Sequence, residues 1–269
     1  MPVSEEKTPF FIVGAPRAGT TLLREILRTH SELCCPAETH FFRWGHPFGG
    51  NAFRDQYFTV PSNLAGTEPI YRLHRALDGV GDDEFSVLLD QAKTRAGLQD
   101  AYFALYQKRN GLEGKRWFDK SPQNVYGIFL LNALYKRPQF IHLVRNPLDV
   151  VASLMVGEIL RADGLIEACN YWLEAVAIFN QFKAAWPAQS FELKFERFAK
   201  HPRGAIEDLM LFIGEDAARL GFDYGWVRRD WRDYRTVLST SDIATIRAVC
   251  GDWMRHYGYS AARVLAPTA

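Results

Sequence analysis

The sequence predicts an α/β fold, a central parallel sheet flanked by helices with a helical insertion. Two observations carry this. Short apolar runs alternate with helix-patterned stretches along the chain, which is the signature of parallel α/β structure. Within "FFIVGAPRAGTTLLREIL", residues 10–27, an apolar run also passes through a glycine-bracketed loop directly into a helix-patterned stretch.

Taken in order, the first strand is Phe10–Val13, and a helix starts from about Thr20, with Leu22, Leu23, Ile26 and Leu27 at helical spacing. A second strand is Arg116–Asp119. Ser121-Pro122 then reads as a cap and first-turn proline for a helix carrying Val125, Ile128, Phe129, Leu131 and Leu134. The third strand, "QFIHLVR", is the clearest, and Asn146-Pro147 repeats the cap-and-proline pattern after it. A fourth strand, "SFELKF" at 190–195, precedes a helix after Pro202. The last helix runs from about Ser241 to His256 and stops near Gly258. Residues 41–110 break the alternation. With helical stretches such as Glu84–Leu89, they read as a helical excursion over the sheet, where α/β folds usually place ligand specificity.

The chain has 269 residues, a length that one α/β domain spanning 1–269 accommodates. The net charge of +1 gives no global basic field for nucleic acid, so any anion site is local. No apolar run reaches the ~18 residues of a membrane-spanning helix, and the N-terminus lacks the parts of a signal peptide. The four cysteines, Cys34, Cys35, Cys169 and Cys250, match no zinc spacing and read as reduced core thiols of a cytoplasmic protein.

A nucleotide triphosphatase loop reads G-x-x-x-x-G-K-[ST]. Here Gly14 and Gly19 have that spacing, making the sheet P-loop-like, but the lysine position holds Thr20. A helix N-terminus binds anions through unpaired N–H groups and its partial positive charge. Arg17 lies inside the loop with a fork suited to a tetrahedral oxyanion, and Thr20 and Thr21 add hydroxyls. Two further strand ends carry cations. Lys120, in "RWFDKSPQNV", precedes a helix start. Arg145 ends a strand in "FIHLVRNPLDVVASLMV", with Ser153 eight residues later in the next helix. An arginine folded over that helix brings Arg145 and Ser153 to one phosphate. Taken singly, Lys120, Arg145 and Ser153 each read first as ordinary solvated or structural groups.

Together, "PRAGTT", Lys120 in "DKSP", and Arg145 with Ser153 resemble the nucleotide site of sulfotransferases that use 3′-phosphoadenosine-5′-phosphosulfate (PAPS, giving the product PAP). "PRAGTTLLREILRTHSELCCPAETHFF", "FELKFERFAKHP" and "MRHYGY" are most similar to the tyrosylprotein sulfotransferase branch and its bacterial relatives. The resemblance implies that Arg17, Ala18, Gly19, Thr20 and Thr21 hold the 5′-phosphosulfate, and that Lys120 reaches the same group. It implies further that Arg145 and Ser153 grip the 3′-phosphate, and that no metal is required. A missing γ-phosphate explains the missing loop lysine. In the resembled branch the base is a glutamate in E-T, which matches Glu38 in "PAETHFF". From the residues alone, Glu38 reads first as a partner of Arg43 or another surface cation, and the resemblance reverses that reading. His40 and His46 are rival bases, and His142 reads as a core histidine.

The expected reaction is in-line sulfuryl transfer to a hydroxyl, with Glu38, Lys120 and Arg17 catalytic. The acceptor is expected to be a small hydroxylated metabolite, with a glycan or protein tyrosine as alternatives. The aromatics Phe41, Phe42, Trp44, Phe48, Phe53, Tyr57 and Phe58 serve either as core or as acceptor walls. "RDYRTVL" resembles a dimer motif of cytosolic sulfotransferases, so a homodimer is a further option. The competing reading is a P-loop kinase using Mg-ATP, against which the absent lysine argues. Binding titrations separate the two.

Overall fold

The computed structural model describes residues 8–42, 67–157, 161–227 and 233–259. Five parallel strands form one sheet in the order β2-β3-β1-β4-β5. They are β1 (Phe10–Gly14), β2 (Leu33–Cys34), β3 (Arg116–Lys120), β4 (Gln139–Val144) and β5 (Ser190–Lys194). Helix α1 (Thr20–Arg28) follows β1. Helices α2 (Thr67–Leu77), α3 (Asp82–Gln91) and α4 (Arg95–Asn110) lie between β2 and β3. After β3 come a 3₁₀ stretch, Pro122–Gly127, and α5 (Ile128–Leu134). After β4 come α6 (Pro147–Met155) and α7 (Leu165–Ala185), and after β5 α8 (Phe195–Lys200), α9 (Pro202–Ile213) and α10 (Thr240–His256).

The strand sequences are continuously apolar because both faces are covered. Successive β1 side chains alternate. Phe10 and Ile12 pack with α1, α8 and α9, whereas Phe11 and Val13 pack with α4, α5, α6, α7 and α10. Cys169 on α7 and Cys250 on α10 hydrogen-bond thiol to thiol inside the second core, and all four cysteines are free and buried.

Three local expectations change. Ser121 makes no capping bond; its hydroxyl donates to Asp119 Oδ1 at 2.9 Å, and the chain takes a 3₁₀ path before α5 starts at Ile128. Phe195 is no strand residue but opens α8, where its buried ring lies under the glycine loop. The last helix begins at Thr240, one residue early, because Ser239 and Asp242 form a capping box. Asn146 does cap α6, accepting from Leu148 N at 3.1 Å.

The excursion is helical over its described part. It is anchored by α4, which buries Leu98, Gln99, Tyr102, Phe103 and Tyr106, whereas α3 buries none of its residues. Phe41 and Phe42 are core residues. Arg43, Trp44, His46, Phe48, Phe53, Tyr57, Phe58 and Arg232 lie outside the described residues. Among the described residues, no helix is long and apolar enough to cross a membrane.

Candidate functional site

The strand order puts β1 between β3 and β4, so the C-terminal ends of these three strands share one edge of the sheet. Open α/β sheets bind ligands at such an edge. The edge carries the glycine loop after β1, Lys120 at the end of β3 and Arg145 just beyond β4.

The loop is tightly constrained. Gly14 has φ 147°, and a Cβ there would stand 2.8 Å from the Leu143 carbonyl oxygen. Arg17 adopts φ 69°, a left-handed conformation uncommon outside glycine. Its side chain is held by donation from Nε to Ser153 Oγ at 2.8 Å. Gly19 caps α1 at φ 102° with no side-chain hydrogen bond, which leaves first-turn N–H groups of α1 available to an anion. A Cβ on Gly19 would meet the Phe195 ring at 2.5 Å. Gly19→Ala therefore combines left-handed strain with overpacking. It is expected to cost about 2–4 kcal/mol, read as a lowered midpoint in denaturant unfolding.

The second strand end is more deeply buried. Lys120 is 1% exposed; its Nζ donates to Thr21 Oγ1 at 3.2 Å and forms an ion pair with Glu38 Oε1. Glu38, 19% exposed, comes from the segment after β2. That segment is stitched to the end of β3 by the two residues that follow Glu38. Thr39 Oγ1 donates to Asp119 Oδ2 at 3.0 Å, and His40 N donates to Ser121 Oγ at 3.2 Å. Asp119 also accepts from Gln99 at 3.2 Å and Asn124 at 2.8 Å. Burial pushes the Asp119 carboxyl up to about 6 against the pull of its hydrogen bonds. For Glu38, burial acts upward, but Lys120 and His40 outweigh it and hold the carboxyl at about 2. Glu38 is thus ionised throughout the neutral range.

His40, buried and at φ 58°, places Nε2 3.4 Å from Glu38 Oε2 and 3.0 Å from His74 Nδ1 on α2. Glu38, His40 and His74 bring their ligand-type atoms within 4.8 Å of one another. The imidazole planes are 13° apart with centroids 5.1 Å apart, so the rings meet edge to edge with the two nitrogens facing. Lys120 holds the other carboxylate oxygen, and within the trio the hydrogen bond is the one between His40 and His74.

At the third strand end, the Arg145 guanidinium lies 4.6 Å from the Phe195 ring centroid and 3.5 Å from the Arg17 carbonyl oxygen. Trp172 Nε1 donates to the Arg145 carbonyl at 2.9 Å. Burial lowers the Arg145 pKa, while Asp149 and Glu196 act the other way. Ser153 accepts from Arg17, so it links the loop to α6. His142 is a core residue, fully buried, with Nδ1 3.2 Å from Glu192 Oε2.

The arrangement brings three cations, two hydroxyls of the first turn of α1 and an open helix N-terminus to one edge of the sheet, with an ionised carboxylate paired to Lys120. It suits a dianionic ligand and a proton-accepting step beside it. His74, Asp119 and Phe195 were not identified as site residues from sequence. Only Asp119, adjacent to Lys120, carried a positional signal.

A family model described as "Sulfotransferase family" matches residues 9–219. The chain is 22% identical over 220 residues to protein-tyrosine sulfotransferase 2 of Gallus gallus, a match that covers 78% of this chain and 52% of that protein. It spans between 29% and 52% of the length of the curated relatives it matches. Among solved structures it resembles the sulfotransferase domain of the Synechococcus PCC 7002 olefin synthase, with a TM-score of 0.53 and 20% identity, covering 98% of this chain and 92% of that one. It also resembles mouse sulfotransferase SULT7A1 complexed with PAP, with a TM-score of 0.52 and 12% identity, covering 93% and 85%.

Proposed function

Because the chain belongs to the sulfotransferase family, we propose that it transfers a sulfuryl group from PAPS to the hydroxyl of a small acceptor, with Glu38 as the base. The observation that carries this reading is the Glu38–Lys120 pair. An ionised carboxylate and a buried ammonium stand together beside Thr21 of the glycine loop.

The residues present fit such a donor. Gly14 and Gly19 let the loop pack directly against Leu143 and Phe195, where a Cβ would clash, and Arg17, Lys120 and Arg145 supply charge at the same sheet edge. Arg17, Ala18, Gly19, Thr20, Thr21 and Lys120 would hold the 5′-phosphosulfate, and Arg145 the 3′-phosphate. Ser153, bonded to Arg17, ties the two ends together. PAPS supplies the sulfuryl group. Glu38 accepts the acceptor's proton, and Arg17 and Lys120 stabilise charge building on the transferring group and leaving phosphate. Charge-assisted forks of arginine on phosphate are strong contacts, and the reading needs no magnesium. The four free, buried cysteines fit a reducing, cytoplasmic setting. The acceptor we favour is a small hydroxylated metabolite, bound on the side of α2–α4.

Cofactor choice tests the reading. PAP is expected to bind far more tightly than 5′-AMP by calorimetry, and Arg145→Ala is expected to erase most of the difference, a loss of about 2–5 kcal/mol. Equal affinity for the two nucleotides in the wild type, or preference for Mg-ATP, would sink the assignment.

A further inference from the structure

We propose that Glu38 Oε2, His40 Nε2 and His74 Nδ1 form a site for a divalent d-block ion such as Zn²⁺, and that filling it switches the chain off. The site stands on its own geometry; the switch rests on the reaction proposed above.

The three donor atoms all lie within 4.8 Å of one another. Two of the three separations are 3.0 Å, between His40 and His74, and 3.4 Å, between His40 and Glu38. Ligands held at about 2.0–2.1 Å around a tetrahedral zinc ion stand about 3.3 Å apart, so small side-chain adjustments bring all three to one ion. An imidazole binds metal in its ring plane. These two planes are 13° apart with the nitrogens facing, so an ion set between them lies near both. It replaces the hydrogen that bridges the two nitrogens, and the ring that carried it binds as its other tautomer. Two imidazoles and one carboxylate suit zinc, cobalt or nickel, and suit magnesium poorly because it takes oxygen ligands.

The surroundings orient the donors, as outer partners do in metal sites. Lys120 holds Glu38 Oε1, which leaves Oε2 to the histidines. The His40 amide donates to Ser121 Oγ, and its left-handed backbone, at φ 58°, returns the ring to the Glu38 side chain two positions earlier. His74 is hydrogen-bonded to the Glu38 backbone, which ties α2 to the same segment. Burial is graded across the trio. His40 is 3% exposed, whereas Glu38 is 19% exposed and His74 only partly buried. The open side of the triangle, toward Glu38 and His74, is therefore both the entry path and the fourth coordination position.

Charge bounds the affinity. Glu38 is the one anionic ligand of the three, and the Lys120 ammonium beside it repels a dication. The site is thus built for reversible occupation rather than for a resident structural ion. Its consequence for the reaction follows from the same carboxylate. An ion on Oε2 drains basicity from the whole group while Lys120 holds Oε1, so Glu38 no longer takes the acceptor's proton. The glycine loop and Arg145 supply no ligand, so the donor still binds.

The test titrates the full chain, stripped of metal by a chelator, with zinc and cobalt chloride. Calorimetry is expected to show one equivalent of Zn²⁺ bound with micromolar affinity, and no Mg²⁺. Co²⁺ is expected to give the visible absorption of a four-coordinate ion. His74→Ala, Glu38→Gln and His40→Asn, the last suited to the left-handed backbone, are each expected to weaken Zn²⁺ by at least ~100-fold, since even an outer partner's loss costs about 10–100-fold. PAP affinity is expected to stay at the wild-type value in His74→Ala, which shows that this variant is folded. Lys120→Met is expected to tighten Zn²⁺ by about tenfold or more, because the repelling charge is gone. A wild-type chain without the one-equivalent site overturns the proposal. So does a site that all three ligand variants keep, because the ion then sits elsewhere. In the donor assay, PAP release during sulfuryl transfer is expected to stop as Zn²⁺ saturates the site and to return with EDTA. Full turnover by the zinc-loaded chain overturns the switch and leaves the site standing. A chain that binds Zn²⁺ through these residues yet transfers sulfuryl to no acceptor upholds the site and overturns the reaction.

Discussion

Glu38→Gln is expected to lower turnover by about 10²-fold or more while leaving PAP affinity near wild type. The substitution keeps the side chain's size and an acceptor for Lys120, and removes only the basicity. Lys120 and His40 hold the carboxyl at about 2, so the wild-type base is ionised throughout the neutral range. Its protonation therefore does not set the acid limb of the pH–rate profile near neutrality. The low value also bounds the base's strength. A carboxylate so stabilised by Lys120 accepts a proton poorly until the ammonium is drawn to another anion, so the proposed base gains basicity as the donor's sulfonate takes over Lys120. Rates from single-turnover experiments with donor in excess isolate this step from product release. A Glu38→Gln rate equal to wild type would remove Glu38 from the role and return the search to His40 and the 41–110 excursion.

Much of the fold was legible because its strands are buried on both faces and so read as uninterrupted apolar runs. Where that logic fails, the reading failed. β2 is two residues long, Leu33–Cys34, too short to show any pattern. Helix α7 was missed because it lies between the sheet and α10, burying residues such as Cys169, Trp172, Val176 and Phe179, so its sequence has only a weak polar face. Ser121 has the residue type of a cap, yet Asp119 two positions earlier captures its hydroxyl. The site divides in the same way. The glycine loop was legible because its chemistry is local in sequence. The Glu38–Lys120 pair spans 82 positions and the Arg17–Ser153 bond spans 136, and no spacing rule connects such residues. Ser153, read with Arg145 from spacing and resemblance, also accepts from the loop arginine. His74 sits in the excursion, where nothing in the sequence ties it to Glu38.

Lys120→Ala is expected to be the most damaging single change, because it removes a proposed transition-state donor and unbalances a buried ion pair at once. The first effect lowers turnover by about 10²–10³-fold. The second destabilises the fold by roughly 3–5 kcal/mol, the cost of leaving one member of a buried pair without its partner. Their pH dependences separate them. With Lys120 in place, the Glu38 carboxyl sits at about 2 in the folded chain, below its ordinary value of 4.5. The pair's contribution is therefore fully present above that ordinary value and is lost as pH falls toward 2. Without Lys120, burial acts on Glu38 with less opposition and moves its pKa upward, so the folded variant resists acid better relative to its own neutral stability. The stability gap between wild type and Lys120→Ala should be widest at neutral pH and close progressively between about pH 4.5 and 2. Lys120→Met, which refills the volume of the stem without the charge, should show the same pH trend with a smaller packing loss. Glu38→Gln in the Lys120→Ala background should recover part of the lost stability by removing the uncompensated charge. Urea unfolding across this pH range reads all three, and a gap that stays constant with pH would show that the Glu38–Lys120 pair is not what holds this edge of the sheet together.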